Sequence, residues 1–223
     1  MATRLPTPDR ARDAARSREA ILDAAERLFA ARGFEATSLQ EVGEAAGLSR
    51  GSPGYFFGTK QELYEAVLAR CYARATQAVR SGLARALKSG EPADVVLAGA
   101  VGEYFDFLTA NEPFMRLLEW EALGGGRVVA GLPPHAEALQ EALTALVTEL
   151  GLSRHRRAEA AHLLLSVMAL CWFPVIHATT LLPGMGLDPA SPSFRAERRR
   201  HVVELVRQGM SSIIRTRAAR RPA

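Results

Sequence analysis

Thr37-Ser38-Leu39-Gln40-Glu41-Val42-Gly43-Glu44-Ala45-Ala46-Gly47-Leu48-Ser49-Arg50-Gly51-Ser52-Pro53-Gly54-Tyr55-Phe56-Phe57-Gly58-Thr59-Lys60-Gln61-Glu62-Leu63 is the stretch on which the fold turns. It reads as two short helices joined by a tight turn at Gly47, then a loop and the start of a further helix. That is the sequence form of a helix-turn-helix. Ser38 and Glu41 have capping-box spacing, and so do Thr37 and Gln40, so two registers are open for the first of these helices. Leu39, Val42 and Ala46 form its apolar face. Gly43 sits mid-helix at a cost of up to about 1 kcal/mol relative to Ala, which close approach of a neighbouring helix would justify. The next helix is expected to be capped by Ser49 and to take Pro53 in its first turn, where an N–H has no intrahelical partner. Gly58 breaks it, and Thr59 with Glu62 caps the one that follows.

Upstream, Ile21, Leu22, Ala25, Leu28 and Phe29 recur with one-face helical spacing and predict a helix over residues 14–32, closed by Gly33. Residues 1–13, with Pro6, Pro8 and scattered Arg, read as a flexible arm. Downstream, helices are predicted from Thr59 to about Leu87, over 92–110, from an Asn111 cap through Trp120, and over about 134–150, 154–182 and 192–217. Pro174 should kink the second-last of these, and Ser191-Pro192 opens the last. Gly124-Gly125-Gly126 and Pro133-Pro134 bracket a flexible connection, and 218–223 is a tail. No segment sustains strand alternation, so the fold class is all-α.

The composition, 48% hydrophobic and 23% charged over 223 residues, fits a globular chain with a sizeable core. Cys71 and Cys171 stand alone, which points to reduced thiols rather than a disulfide scaffold. No metal is expected: neither cysteine has a ligand at chelating spacing, and His155 and His162 are about 10 Å apart along a helix. Residues 1–18 are Arg-rich and lack an apolar signal core. The longest apolar run, 163–176, is broken by Ser166 and Pro174 and is shorter than the roughly 20 residues of a membrane span. A cytoplasmic protein with no membrane partner is expected. Residues 195–221 carry nine Arg against Glu197 and Glu204, a local +7, so the rest of a chain of net +4 sums to −3. The basic segment lies far from the helix-turn-helix and reads as a solvated helix face.

Several of these features together resemble the DNA-binding domain of the tetracycline-repressor (TetR) family of bacterial regulators. They are the capped Thr37-Ser38, Val42, the small residues before Gly47, Leu48-Ser49-Arg50-Gly51, the aromatics ending at Phe57, and Thr59-Lys60 before Leu63. Ala24-Ala25, Leu28-Phe29 and Gly33-Phe34 of the preceding helix match as well. The resemblance covers about residues 16–70. In one place the chain departs from the pattern: Gly54 stands where the family usually has an aromatic. The resemblance implies a DNA-binding domain over 14–62 and a helical ligand-binding and dimerisation domain over 63–217. It implies a homodimer built by residues of about 154–182 and 192–217, including Leu163, Leu164, Val167, Leu170, Val202, Val203, Leu205, Val206, Met210, Ile213 and Ile214. A two-fold dimer spaces its recognition helices about 34 Å apart, or a multiple, and calls for a pseudo-palindromic double-stranded operator.

The residues that would meet DNA follow from groove chemistry. Ser49, Arg50, Gly51 and Ser52 lie at the start of the recognition helix, with Arg50 suited to the O6/N7 edge of guanine. Gln40 reaches a base or phosphate. Thr37 and Ser38 put hydroxyls at a helix N-terminus, where phosphate is favoured. Tyr55 offers a hydroxyl, and Lys60, one of only two lysines, a point charge for phosphate. Phe57 reads as core. In the second domain Tyr104, Phe105, Phe107, Phe114, Trp120, Trp172, Phe173 and His177 are the large groups expected around a pocket for an apolar or aromatic effector. No cofactor and no catalytic residue is expected. Gly47-x-Ser49-x-Gly51 mimics a hydrolase nucleophile elbow, but that motif needs a preceding strand. The chain therefore reads as a ligand-responsive transcriptional regulator, with repressor ahead of activator or ligand-independent regulator, and a helical enzyme or carrier as the remote alternative.

Overall fold

The computed structural model describes residues 8–88, 90–152 and 156–219; the side chains of 8–10, 86–87 and 212–219 are outside that description. Among the described residues there are ten α-helices and no strand. They are α1 Pro8–Arg32, α2 Leu39–Ala45, α3 Ser52–Phe57, α4 Lys60–Lys88, α5 Ala93–Ala110, α6 Glu112–Leu123, α7 Arg127–Gly131, α8 Pro133–Glu149, α9 Arg157–Ile176 and α10 Pro192–Ala219. The all-α expectation holds. The chain divides into two compact units. One comprises the described residues up to Cys71 with Arg116–Leu132, and the other Tyr72–Met115 with the described residues from Pro133 onward. The second half of α6 therefore belongs with the N-terminal helices, which a simple boundary at residue 63 does not anticipate.

In the first unit α1 begins at Pro8, so residues 8–13 are helical rather than part of an arm; 1–7 lie outside the described residues. The helix ends where Gly33, at φ +77°, donates its N–H to Phe29 O at 2.8 Å. Ile21, Ala25 and Phe29 of α1 meet Val42 of α2 and Leu63, Tyr64, Val67 and Leu68 of α4 in a core where each is at most 2% exposed. Burying each large side chain is worth about 1.5–3 kcal/mol. The Phe29 and Tyr64 rings meet edge to face at 4.9 Å.

The α2–α3 turn has a full C-terminal cap. Leu48 N–H bonds Gly43 O at 2.9 Å, Gly47 N–H bonds Glu44 O at 3.0 Å, and Gly47 takes φ +69°. A Cβ on Gly43 would lie 2.6 Å from Ser49 O and 3.2 Å from Arg50 Cα. The close approach is therefore to the backbone leading into α3. That helix starts at Ser52, with Gly51 rather than Ser49 at the N-cap, and Pro53 is buried in its first turn. Pro53-Gly54 does not break it: Gly51 O accepts from Tyr55 N and Gly54 O from Gly58 N.

Trp120, expected at the effector pocket, lies in this first unit. Its indole N–H donates to Ala30 O at 3.1 Å, satisfying a carbonyl at the end of α1, and its ring covers Gly33. The Gly124–Gly126 segment leads into the short helix α7. Glu121 caps it by accepting from Val128 N and Val129 N at 3.2 and 3.1 Å, and also holds Tyr64 OH at 3.0 Å.

In the second unit α5 packs on α9 and α10, and α8 on α9. Asn111 turns its side-chain amide back to Phe107 O at 2.7 Å, so it closes α5 instead of capping α6. Pro174 lies inside the last turn of α9, which stops at Ile176 instead of running on to about 182. His177 O then gathers the N–H groups of Thr180, Leu181 and Leu182 into turns. Pro174 has no N–H for Leu170 O, four residues back, and Arg198 of α10 donates to that carbonyl at 3.0 Å. Four described arginines of α10 are accordingly ties, while Arg200 is exposed as a solvated face would have it. Arg199 holds Asp106 at 2.7 Å, Arg195 bonds Pro189 O and Ala190 O, and Arg207 pairs with Glu204 and Asp94.

Two glycine substitutions should act in opposite directions in urea or thermal unfolding. Gly43→Ala should cost about 1–3 kcal/mol, because the obstruction is backbone. Gly54→Ala, whose Cβ would meet nothing within 4 Å, should stabilise by about 0.5–1 kcal/mol.

Candidate nucleic-acid interface

The register left open at α2 resolves on Ser38. Its Oγ accepts from Glu41 N at 3.2 Å, while the Glu41 carboxylate accepts from Ser38 N at 2.9 Å and Ser38 Oγ at 2.8 Å. The same box recurs at α4, where Glu62 accepts from Thr59 N and Oγ1 at 2.7 and 2.8 Å. The cap-residue backbone bonds are the main reason that both carboxylates sit below the usual glutamate range. Their contribution is therefore complete above the unfolded value, about 4.3, and is lost as pH falls through the depressed folded values. Each helix N-terminus thus already carries its own carboxylate.

Thr37 is 2% exposed and its Oγ1 donates to Gly33 O at 2.9 Å, so its hydroxyl closes the α1–α2 connection and is not presented to a phosphate. Lys60 is engaged within the fold as well. Its ammonium donates to Phe34 O at 3.0 Å and Glu35 O at 3.4 Å and sits 4.3 Å above the Phe34 ring. Phe57 is core, with Arg18 stacked 4.2 Å over it.

Ser38, Gln40, Ser49, Arg50, Gly51 and Tyr55 are exposed on α2, α3 and the turn between them, and Ser52 is half-buried. The Ser49 and Ser52 hydroxyls bond each other at 2.8 Å. Arg50 donates from Nε to Glu44 Oε1 at 2.6 Å, with 71% of its side chain exposed. Glu44 was not anticipated as a site residue; an acidic side chain six residues before Arg50, across the turn, was the available signal. Tyr55 is 86% exposed, its ring edge-on to Phe56.

The second unit contains a cavity of about 170 Å³. Of the eight expected lining residues it brings together Tyr104, Phe114 and Trp172. Phe105 is 1% exposed in the core, Phe107 packs on Phe114, and Phe173 meets His177 at a tilt with half its surface exposed. Tyr72, Thr76, Val79 and Leu83 were missed; their spacing along α4 marks a second apolar face. Burial pushes the Cys171 thiol up to about 12, which leaves it inert. His155 lies outside the described residues, and no group of three metal-ligating side chains occurs among the described ones.

A capped two-helix turn with an exposed polar rim in one helical unit, in a chain whose other helical unit holds a cavity, defines a helix-turn-helix transcriptional regulator. Residues 21–67 match the family model of bacterial regulatory proteins of the tetR family, and residues 94–206 match the tetracyclin repressor-like C-terminal domain. The chain belongs to the TetR family and is a DNA-binding regulator, not an enzyme. It is 31% identical to the transcriptional activator FasR of Mycolicibacterium smegmatis over 69% of this chain and 66% of that one. It is 28% identical to the transcriptional repressor NicS of Pseudomonas putida over 90% and 95%. A TetR-like regulator from Rhodococcus sp. shares the fold, with a TM-score of 0.63 and 21% identity over 93% and 99% of the two chains.

Lys60→Met should lower the melting temperature of the free protein, because two loop carbonyls lose their donor. The slope of log K against log salt for DNA binding should stay unchanged. A slope smaller by about one would return Lys60 to the phosphate contacts.

Proposed function

We propose that this chain is a cytoplasmic repressor that binds a pseudo-palindromic operator as a homodimer and is released by a small apolar or aromatic effector. The observation that carries the DNA-facing half is the exposed rim of Gln40, Ser49, Arg50 and Tyr55 around a turn whose own N–H and carbonyl groups are capped. Arg50 reads a guanine edge, its fork held ready by Glu44, and Ser49, Ser52, Tyr55 and the Gly51 amide take neighbouring bases or phosphates. Ser38 and Gln40 flank the same groove. Thr37 and Lys60 shape the surface from behind.

The dimer face lies on α9 and α10. Among the described residues α9 is long and apolar enough to cross a membrane, yet little of it is buried. Ala161, Leu165, Ala169 and Phe173 line its exposed side at four-residue intervals, and Leu205 is exposed on α10. In a DNA-binding regulator such a stripe suits a subunit interface. Val167, Val202, Val206 and Met210, expected there, are instead in the protomer's core, and the Ile213 and Ile214 side chains lie outside the described residues. The 170 Å³ cavity is the effector site, and α4, which contributes Lys60–Cys71 to one unit and Tyr72–Lys88 to the other, is the natural carrier of its signal. An effector acts by binding more tightly to the form of the dimer that fits the operator poorly.

The repressor sign draws support from NicS, the relative that aligns along nearly the whole chain. The activator FasR supports the second reading, in which the same DNA-bound dimer promotes transcription.

The test is selection of bound sites from genomic DNA, followed by footprinting and sedimentation. The wild type should be a dimer protecting two half-sites on successive helical turns. The pair Leu165→Glu and Phe173→Glu should yield a folded monomer that no longer protects both. A dimer that survives those changes would remove α9 from the interface.

A further inference from the structure

In the cavity wall of the second unit the Arg80 and Glu141 charges answer each other, the Tyr72 and His135 rings pack together at 4.9 Å, and Tyr104 keeps a proton to give. Arg80 grips Glu141 with two bonds, Nε to Oε1 at 2.6 Å and Nη2 to Oε2, so neither charge is available to a ligand without breaking a bidentate pair. The Arg80 bond is also what holds the Glu141 carboxyl below its usual range. The Thr76 hydroxyl is engaged, donating to Tyr72 O at 2.9 Å. Tyr104 differs. Its phenolic oxygen accepts from the Trp172 indole N–H, while its own proton meets no acceptor among the described residues. A hydroxyl that already accepts a hydrogen bond is polarised into a better donor. Burial raises its pKa, so the proton stays in place at any physiological pH.

Size and lining narrow the occupant further. A dry cavity of about 150 Å³ accommodates benzene, and this one is about 170 Å³, room for one ring with a small substituent. Tyr72, Phe114 and Trp172 supply aromatic surface, Met168 a thioether, and Leu97 and Leu146 aliphatic walls. A carbonyl oxygen accepts a proton and brings none of its own to be buried, whereas an alcohol or amine adds a donor that must itself be satisfied.

We propose that the effector is a neutral, single-ring aromatic molecule bearing a carbonyl group, whose oxygen accepts the hydrogen bond offered by Tyr104. This rests on the cavity being the effector site.

Calorimetric titration of the full-length protein with acetophenone, ethylbenzene and benzoate tests it. These probes share a ring and differ in carbonyl and charge. Acetophenone should bind about 10-fold more tightly than ethylbenzene, the worth of one hydrogen bond. Tyr104→Phe should erase that difference and leave ethylbenzene unchanged. Benzoate should bind Glu141→Gln, in which Arg80 is released, and not the wild type. Equal binding of acetophenone and ethylbenzene, or a preference that survives Tyr104→Phe, would overturn the role of Tyr104 while leaving the cavity as a ligand site. Benzoate binding to the wild type as tightly as acetophenone would overturn the neutral class. Failure of both neutral probes to bind at their solubility limits would overturn the cavity itself as the effector site.

Discussion

The approach of α2 to the backbone before α3 is the constraint on which the DNA-binding unit depends. At Gly43 there is no room for a Cβ: the nearest atom is the Ser49 carbonyl oxygen, at 2.6 Å from where it would stand. Backbone cannot yield as a side chain can, so this contact fixes the angle at which the chain leaves α2 for α3. Gly47, at φ +69°, supplies the left-handed turn that makes the approach possible, and Leu48 N–H returns to Gly43 O to close it. The glycine that costs α2 helical propensity is the residue that permits the motif.

Around that contact, local hydrogen bonds are used up within the fold, which leaves a small set of side chains for recognition. Glu41 and Glu62 satisfy the caps of α2 and α4, Thr37 ties back to Gly33, and Lys60 serves the loop carbonyls of Phe34 and Glu35. Even in the arginine-rich α10, Arg198, Arg199 and Arg207 spend their charges on Leu170 O, Asp106, Asp94 and Glu204. Net positive charge is therefore a poor guide to where this chain meets DNA. What remains exposed near the turn is polar and compact and bonded only to near neighbours on the same rim, a set suited to direct readout.

The features legible in the sequence are those whose partners lie within a few residues. Both capping boxes, the Gly33 and Gly47 turns and the helical stripe of α1 depend on contacts between positions at most five apart. The choice of Ser38 over Thr37 as the cap is an exception: the Thr37–Gly33 bond that decides it spans only four residues, but both residues had capping-box spacing and their burial was not written in it. Trp120 reaches Ala30, 90 residues earlier, and Arg198 reaches Leu170, 28 residues earlier. Periodicity marks such residues as buried or amphipathic but does not name their partners. For the same reason aromatic content predicted Tyr104, Phe114 and Trp172 in the cavity and also drew in Phe105, Phe107 and Phe173, which the packing sends elsewhere. The second face of α4 was written in the spacing of Tyr72, Thr76, Val79 and Leu83, behind the stronger signal of its first face.

The proposed placement of α3 in the major groove can be examined at a single atom. Replacing the guanines of a selected operator half-site with 7-deazaguanine removes N7 and leaves pairing intact. If Arg50 forks onto O6 and N7, affinity for that half-site should fall about 3- to 10-fold, and Arg50→Ala should be insensitive to the replacement. Unchanged affinity of the wild-type protein for the substituted operator would contradict it.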